Sequence, residues 1–523
     1  MAKLIALAIL PFVLSLLPKE GGVPVAQPIR AGIWMQTTNA DFGAGRLSSL
    51  AIEVADDGEL VLASAAASGS YHSATKKADF PFNAVAARWK AHLPHGTTID
   101  FDIRSSQDGK NWSQWLPMEE MDITVERGGP ASELVLCSGN YLQYRVTLKT
   151  IDTSLMPRLK DVTFTYIDST GGPTLAQATA SASVMMEASS LAGVSQPSII
   201  SRAGWGADES LRYSGGQERW PPTYAYTLKA IVHHTVTSND DPDPAATMRA
   251  IYYYHAVTLG WGDIGYNYLV DRFGNIYEGR YGGDNVVAGH AYGYNEGSVG
   301  IAAMGTYSSV NISPQLEQSL VSLLTWECYK HGINPLGYST FVDKYVANIM
   351  GHRDVNNTQC PGDNLYNQLP SIRSQVWGRL PYYGEAWVSH ETPQRMNPAT
   401  SITVRVNLRN SGTATWLCDA SSPNPYRLGF HWYKSTGEEY TQQPSLEYHT
   451  PLPHDVPPGE SVIVDALLNT PSQAGNYTLK WDMVHERVTW FSSQGNATLD
   501  VAVGVGQEVM SYSIILSNMQ KKR

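Results

Sequence analysis

Leu228-Lys-Ala-Ile-Val-His-His-Thr235 is the stretch on which the fold of this chain turns. Its apolar centre is short and unbroken, which predicts a buried strand. Gly265-Tyr-Asn-Tyr-Leu-Val270 reads as another. Between them, over Pro244 to Val257, Met248, Ile251, Tyr252 and His255 fall at i, i+3, i+4 and i+7, one face of a helix. Pro314 to His331 predicts a second helix with Leu316, Leu320, Leu324 and Cys328 on one stripe, which places Cys328 in a core. Strands alternating with helices over residues 199–380 point to an α/β unit.

On either side the period changes to two. In residues 30–168, Ile99, Phe101 and Ile103 alternate with Asp100 and Asp102; Leu142 to Leu148 and Val162 to Tyr166 do the same. Turns such as Gln107-Asp-Gly-Lys110 separate the runs, which suggests a β-sandwich. Trp89, Trp112 and Trp115 there are core residues or a sugar-stacking face, and core packing is the simpler reading. Residues 384–503 return to strands, with Ile402, Val404, Val406 and Leu408 alternating, and suggest a second, Ig-like sandwich. Residues 169–198, rich in Ala, Ser, Thr and Gly without an apolar period, read as a flexible linker. Residues 504–523 form a tail ending in Lys521-Lys-Arg523.

A length of 523 residues suits three or four domains at roughly 100–200 residues each. The 42% hydrophobic and 10% aromatic content excludes a largely disordered chain. With 37 Lys+Arg against 48 Asp+Glu the net charge is −11, and no basic run longer than the terminal Lys521-Lys-Arg523 interrupts it, which argues against nucleic acid as a partner. At the N-terminus Met1-Ala-Lys3 precedes an apolar run from Leu4 to Leu17, similar to a secretory h-region. The run is shorter than the roughly 20 residues of a membrane helix. Residues 1–26 are therefore expected to be a signal peptide or N-terminal anchor, and the protein secreted or in the cell envelope. Cys137, Cys328, Cys360 and Cys418 are too far apart for a disulfide framework.

Within the α/β unit three residues have the chemistry of metal ligands. His233 ends the strand Ile231-Val-His-His-Thr235, His352 lies in Gly351-His-Arg-Asp354, and Cys360 in Thr358-Gln-Cys-Pro-Gly362. Two imidazoles and a thiolate would leave the fourth tetrahedral position of Zn²⁺ open, the arrangement of a catalytic site rather than a structural one. The spacing is not that of a zinc finger, so scattered core histidines and a buried thiol remain an alternative on spacing alone. A thiol hydrolase with Cys360 as nucleophile and His352 as base is another.

The words around these residues occur in a fixed order: Ile-Val-His-His-Thr, Asp263-Ile-Gly-Tyr-Asn267, Glu278-Gly-Arg280, Gly289-His-Ala291, Gly293-Tyr-Asn295, Gly351-His-Arg353 and Thr358-Gln-Cys-Pro-Gly362. They are preceded by Ile200-Ser-Arg-Ala-Gly-Trp-Gly-Ala207. This series resembles the type 2 N-acetylmuramoyl-L-alanine amidase family, which includes the peptidoglycan recognition proteins. The resemblance implies a central α/β amidase domain, a mixed sheet with flanking helices, and the strand patterns on either side make the chain multidomain, with that domain between two mainly antiparallel β-sandwich domains. It implies Zn²⁺ on His233, His352 and Cys360, a catalytic Tyr266, and Thr358 beside the reacting carbonyl. His290, Arg280 and Asn295 fall at candidate substrate-binding positions. Peptidoglycan or muropeptide is the implied substrate, with wall or surface polysaccharide a further partner of the sandwiches.

Family members that only bind peptidoglycan commonly lack the ligand cysteine, so Cys360 and Tyr266 favour an enzyme over a non-catalytic recognition protein. The cysteine pairs that brace many animal relatives are absent, which fits a bacterial-style member. His234, facing opposite to His233 on the strand, is expected in the core or behind the ligands. His255 is expected as a core histidine, and His331 as a partner of its helix C-terminus. Glu278 is a groove residue or a strand-end carboxylate.

Overall fold

The computed structural model describes residues 29–47, 52–55, 58–63, 65–121, 129–185, 194–441 and 448–506. The apolar run at the N-terminus and the basic end of the tail lie outside the described residues. No helix among the described residues is long and apolar enough to cross a membrane.

The central unit is built on a six-stranded mixed sheet. Its strands are β1 (Ile199–Ile200), β2 (Lys229–His234), β3 (Tyr268–Val270), β4 (Ile276–Glu278), β5 (Ser298–Ala303) and β6 (Ile349–Gly351), in the order β1-β4-β3-β5-β2-β6. Only the β3–β4 pair is antiparallel. β2 and β5 are buried at every position, as expected of strands covered on both faces. The covering helices start and stop where their ends dictate. Helix α2 (Pro244–Tyr253) begins with Pro244 after Asp243, whose side chain accepts from the Ala246 N–H. Helix α3 (Pro314–His331) is capped by Ser313 and stopped by Gly332 at φ 63°, a left-handed turn that glycine adopts without strain. Leu316, Leu320, Leu324 and Cys328 all face the core, as the stripe predicts. Helix α2 runs on into a π-helical turn, Tyr254–Thr258, and α4 (Asp363–Trp377) closes the unit.

Part of the Ala/Ser/Thr-rich stretch departs from the expected flexible linker. Residues Leu175–Met185 form a helix, α1, with Ala178 and Ala182 buried one turn apart against the central unit. Small alanines give close approach without an apolar period, so the sequence hides the docking face. Ahead of it, the Arg249 guanidinium donates to the carbonyls of Ser169, Pro173 and Trp205, fastening the start of this stretch to α2.

Strands of residues 30–168 join into one branched ten-stranded sheet around a core that includes Phe101, Ile103, Tyr144, Val146, Phe164 and Tyr166. The alternation suggested a β-sandwich; the strands connect into one sheet because Lys76–His92 and Val135–Thr150 are long enough to change partners along their length. Trp89 is in that core, whereas Trp112 and Trp115 are half-buried under the Arg104 guanidinium at 4.8 and 4.4 Å. This sheet does not stand apart from the central unit. Ala84, Ala86, Met121, Ala131, Leu134 and Ile167 share one apolar cluster with Met248, Ala250, Ile251, Tyr252, Tyr254 and Leu259.

Residues 385–505 hold a three-stranded and a six-stranded sheet over one apolar cluster that includes Trp416, Phe430, Trp432 and Trp481. The Tyr329 hydroxyl on α3 donates to Asn496 Oδ1 at 2.6 Å, linking this part to the central unit.

Candidate metal centre

β2 and β6 are neighbouring parallel strands, with Val232 opposite Gly351. Both therefore deliver their next residues to the same carboxyl edge of the sheet, where open α/β sheets bind ligands. His233 comes from β2 and His352 directly follows β6. Cys360 returns to this edge from the loop ahead of α4, held by its own N–H donating to Thr358 Oγ1 at 2.9 Å and by its carbonyl accepting from Arg353 N–H at 3.0 Å. One ligand atom from each of His233, His352 and Cys360 lies within 4.8 Å of the others, and all three residues are buried.

The surroundings suit a metal. Each histidine has Nε2 against a neighbour: His233 Nε2 is 3.0 Å from His290 Nδ1, and His352 Nε2 is 3.1 Å from Asn356 Oδ1. Nδ1 is left as the ligand atom of both, and that of His233 is 3.7 Å from Cys360 Sγ. The sulfur also accepts the His234 backbone N–H at 3.4 Å, which favours thiolate. Burial pushes His352 down to about 4 and His233 well below its usual value, so both imidazoles keep the lone pair that ligation needs. Two nitrogens and one sulfur, buried and converging, are the donor set of a three-ligand zinc site with one open position.

Behind His233, His290 is part of a chain. Its Nε2 is 3.4 Å from Ser298 Oγ, which donates to the Tyr294 carbonyl at 2.6 Å. The ring packs against β5 at Gly300, where a Cβ would come within 2.3 Å of it. Only glycine permits that approach.

The cluster opens into a cavity of about 180 Å³ lined by Tyr266, His255, Trp261, His290, His352, Gln359, Cys360 and others. The Tyr266 ring is 5.3 Å from that of His233 and 5.9 Å from that of His255. His255 is buried as expected, and its Nδ1 accepts the Gly265 N–H at 3.2 Å; it also lines the cavity. His234 lines it too, with Nδ1 accepting from Tyr307 N–H at 3.3 Å.

Two of the expected substrate-binding residues do not line this cavity. Arg280 is buried, stacked on Trp220 at 4.0 Å, with Nη1 on Asp263 Oδ2 at 2.7 Å and Nη2 on the Trp220 carbonyl at 2.7 Å. Asp263, fully buried between Arg280 and Arg202, holds it there, so its guanidinium serves the framework rather than the cavity. Asn295 uses its Oδ1 to accept from the N–H groups of His290 and Ala291, and so shapes the turn that carries His290. Glu278 is at the end of β4, accepting the Arg202 N–H at 3.1 Å, outside this cavity.

A second group, Asp284, Glu327 and His331, also has converging ligand atoms. Lys330 Nζ already lies 2.8 Å from Asp284 and 3.1 Å from Glu327, so a cation occupies that cluster and it reads as ion pairing. Burial alone would lower the His331 pKa; the two carboxylates outweigh it and raise it.

The family model described as N-acetylmuramoyl-L-alanine amidase matches residues 225–363. Peptidoglycan-recognition protein SC2 of Drosophila simulans is 31% identical over 173 residues, covering 33% of this chain and 84% of that relative. The chain belongs to the type 2 amidase and peptidoglycan recognition protein family. Human N-acetylmuramoyl-L-alanine amidase is 31% identical over 215 residues, covering 39% of this chain and 34% of the human protein. Among solved structures, Drosophila PGRP-LB matches at 29% identity with a TM-score of 0.27, over 33% of this chain and 92% of that one. Residues 390–501 match a model described as the Ig-like domain from next to the BRCA1 gene. Membership of this family makes the function peptidoglycan-related; the family's own names are divided between recognition proteins and amidases.

Sequence reasoning missed Glu119, Glu120, Met121 and Glu133, which line the cavity from the N-terminal sheet. They lie far ahead of the motifs in the chain, and no local pattern carries such a contact. It also missed Trp261 and Gln359 as lining residues.

Proposed function

We propose that this protein is a zinc-dependent N-acetylmuramoyl-L-alanine amidase, acting outside the cytoplasm on the amide between N-acetylmuramic acid and L-alanine. The observation that carries this reading is one cavity lined by His352, Cys360 and Tyr266, with His233 completing the ligand triad behind it. A zinc ion there supplies Lewis acidity toward the amide carbonyl and the attacking water. The rest of the chemistry belongs to the chain. His233, His352 and Cys360 would hold the metal, on the side of the cavity that substrate enters. Tyr266 donates its hydroxyl proton in a hydrogen bond to the oxygen that gains charge as the carbonyl becomes tetrahedral. Thr358, whose Oγ1 holds the Cys360 amide, keeps the ligand loop in register and offers a hydroxyl beside it. Trp261 and the neutral His255 keep that side of the cleft poor in water.

The test is mass analysis of muropeptide incubated with the full chain. Free stem peptide should be released, the release should stop with a chelator, and zinc should restore it. Tight binding without any cleavage would replace the amidase by a recognition protein. Cleavage that survives chelation would instead favour Cys360 as a nucleophile.

His290 has a separate expected role. Because it fixes the Nε2 of a ligand histidine, His290→Ala should weaken zinc binding by about 10–100-fold. Competition with a chromophoric chelator measures this; unchanged affinity would make His290 a substrate contact only.

A further inference from the structure

Away from the cavity, two buried carboxylates stand where the C-terminal unit meets the catalytic one. Glu385 opens the strand Glu385–His390, and Asp482 lies in the strand Gly475–His485. Glu385 is 7% exposed and Asp482 0%. Both oxygens of Glu385 and Oδ2 of Asp482 are without a hydrogen-bond partner among the described residues. Asp482 Oδ1 accepts the Ser492 N–H at 3.2 Å. Buried carboxylates left in this way are costly unless a counter-charge meets them.

Strand register brings the two side chains together. Glu385 stands opposite Asn410 and Trp387 opposite Leu408, and both of these partners are fully buried, so this side of the strand faces inward. Two residues before Glu385, the Tyr383 ring lies 5.1 Å from that of Phe491. Two residues after it, Trp387 Nε1 donates to the Ala497 carbonyl at 3.1 Å. Alternation puts Glu385 between them, against the segment 491–497. Asp482 reaches the same segment from the other sheet, through Ser492. Burial, and then the Asp482 charge, push the Glu385 carboxyl well above its usual range; Asp482 is raised too, first by burial. His431, which also acts on Asp482, already has its Nδ1 on Glu439 at 3.1 Å. Asn496 of the same segment accepts the Tyr329 hydroxyl of α3, and burial and then the Glu385 charge raise the Tyr329 pKa.

Two ways of neutralising the pair differ in how many oxygens they serve. A shared proton joins one oxygen of each carboxyl and leaves the third orphaned oxygen as it was. A divalent cation held by both oxygens of Glu385 and one of Asp482 serves all three, and its two positive charges balance the two negative ones. Calcium accepts mixed bidentate and monodentate carboxylates, whereas magnesium demands near-octahedral geometry. An all-oxygen pair does not favour the softer metals.

We propose that Glu385 and Asp482 form a calcium site that fixes the segment 491–497 and, through Asn496, the junction of the C-terminal unit with α3. This site is independent of the amidase reading.

The experiment is calorimetry of the full chain, stripped of metal and titrated with calcium chloride. Wild type should bind one calcium ion per chain, and saturating calcium should raise the melting midpoint by about 5 °C. Cys360→Ala should bind calcium as wild type does, because two imidazoles and a thiolate are poor ligands for that ion. Glu385→Gln and Asp482→Asn should each weaken binding by about 100-fold or more. Without calcium, each variant should be at least as stable as the metal-free wild type, since one buried charge has gone. Terbium, a stand-in for calcium, should luminesce when the tryptophans of wild type are excited, and calcium should quench that emission by displacing it. This second readout needs no variant to fold. No calcium binding by wild type would overturn the proposal and leave the pair to a shared proton or bridging water. Binding that persists in both folded variants, binding lost in Cys360→Ala, or bound terbium that stays dark would overturn it as well.

Discussion

Cys360→Ala is expected to bind no zinc at stoichiometric level and to lose hydrolysis of muropeptide down to the uncatalysed background. In the proposed zinc site the Cys360 thiolate would be the only anionic ligand of the triad, and it would balance part of the ion's charge at a buried position. With alanine there, His233 and His352 keep their Nε2 partners and their orientation, but two neutral imidazoles are a far weaker set. The fold should survive, because Cys360 sits on a loop outside the apolar clusters of the central sheet. Metal analysis of the purified variant, with circular dichroism as the control for folding, checks this. Loss of activity by itself does not distinguish a ligand from a nucleophile; the metal content does. A variant that is inactive yet still carries one zinc would mean that Cys360 is not a ligand, and would return the thiol-hydrolase mechanism to first place.

What the sequence made legible, and what it hid, divides along the range of the interactions. The strand at residues 228–235 and the helix from Pro314 to His331 are set by neighbours: an unbroken apolar run in one, Ser313, Pro314 and Gly332 in the other. The convergence of His233, His352 and Cys360 was legible because each stands in a motif whose backbone role is also local, at the ends of adjoining parallel strands and in a loop fastened by Thr358. The partners of Arg280 were hidden for a reason of the same kind. Its partner Asp263 lies 17 residues earlier in another motif, and nothing in either word says that the two meet in a buried pair. The helix Leu175–Met185 was hidden because its docking face is two alanines, which carry little hydrophobic signal. Hidden most completely was the ribbon of Glu119–Met121 and Glu133, since only packing of one unit on another brings it to the cleft.

Tyr266→Phe isolates a single atom of the mechanism. The ring should keep its place beside His233, because the Tyr266 backbone is pinned: its carbonyl accepts the Arg280 N–H at 2.8 Å, and Gly279 leaves no room for a Cβ beside it. Zinc content and substrate affinity should therefore stay close to wild type. Turnover should not, since a donor aimed at a developing oxyanion in a water-poor cleft typically accounts for about 10²–10³ in rate. The signature is a fall in kcat with KM nearly constant, the pattern of an interaction made in the transition state and absent from the ground state. A rise in KM with kcat preserved would recast Tyr266 as a binding residue. Near-wild-type values of both would leave stabilisation of the oxyanion to the metal and Thr358, and Thr358→Val should then show the loss that Tyr266→Phe did not.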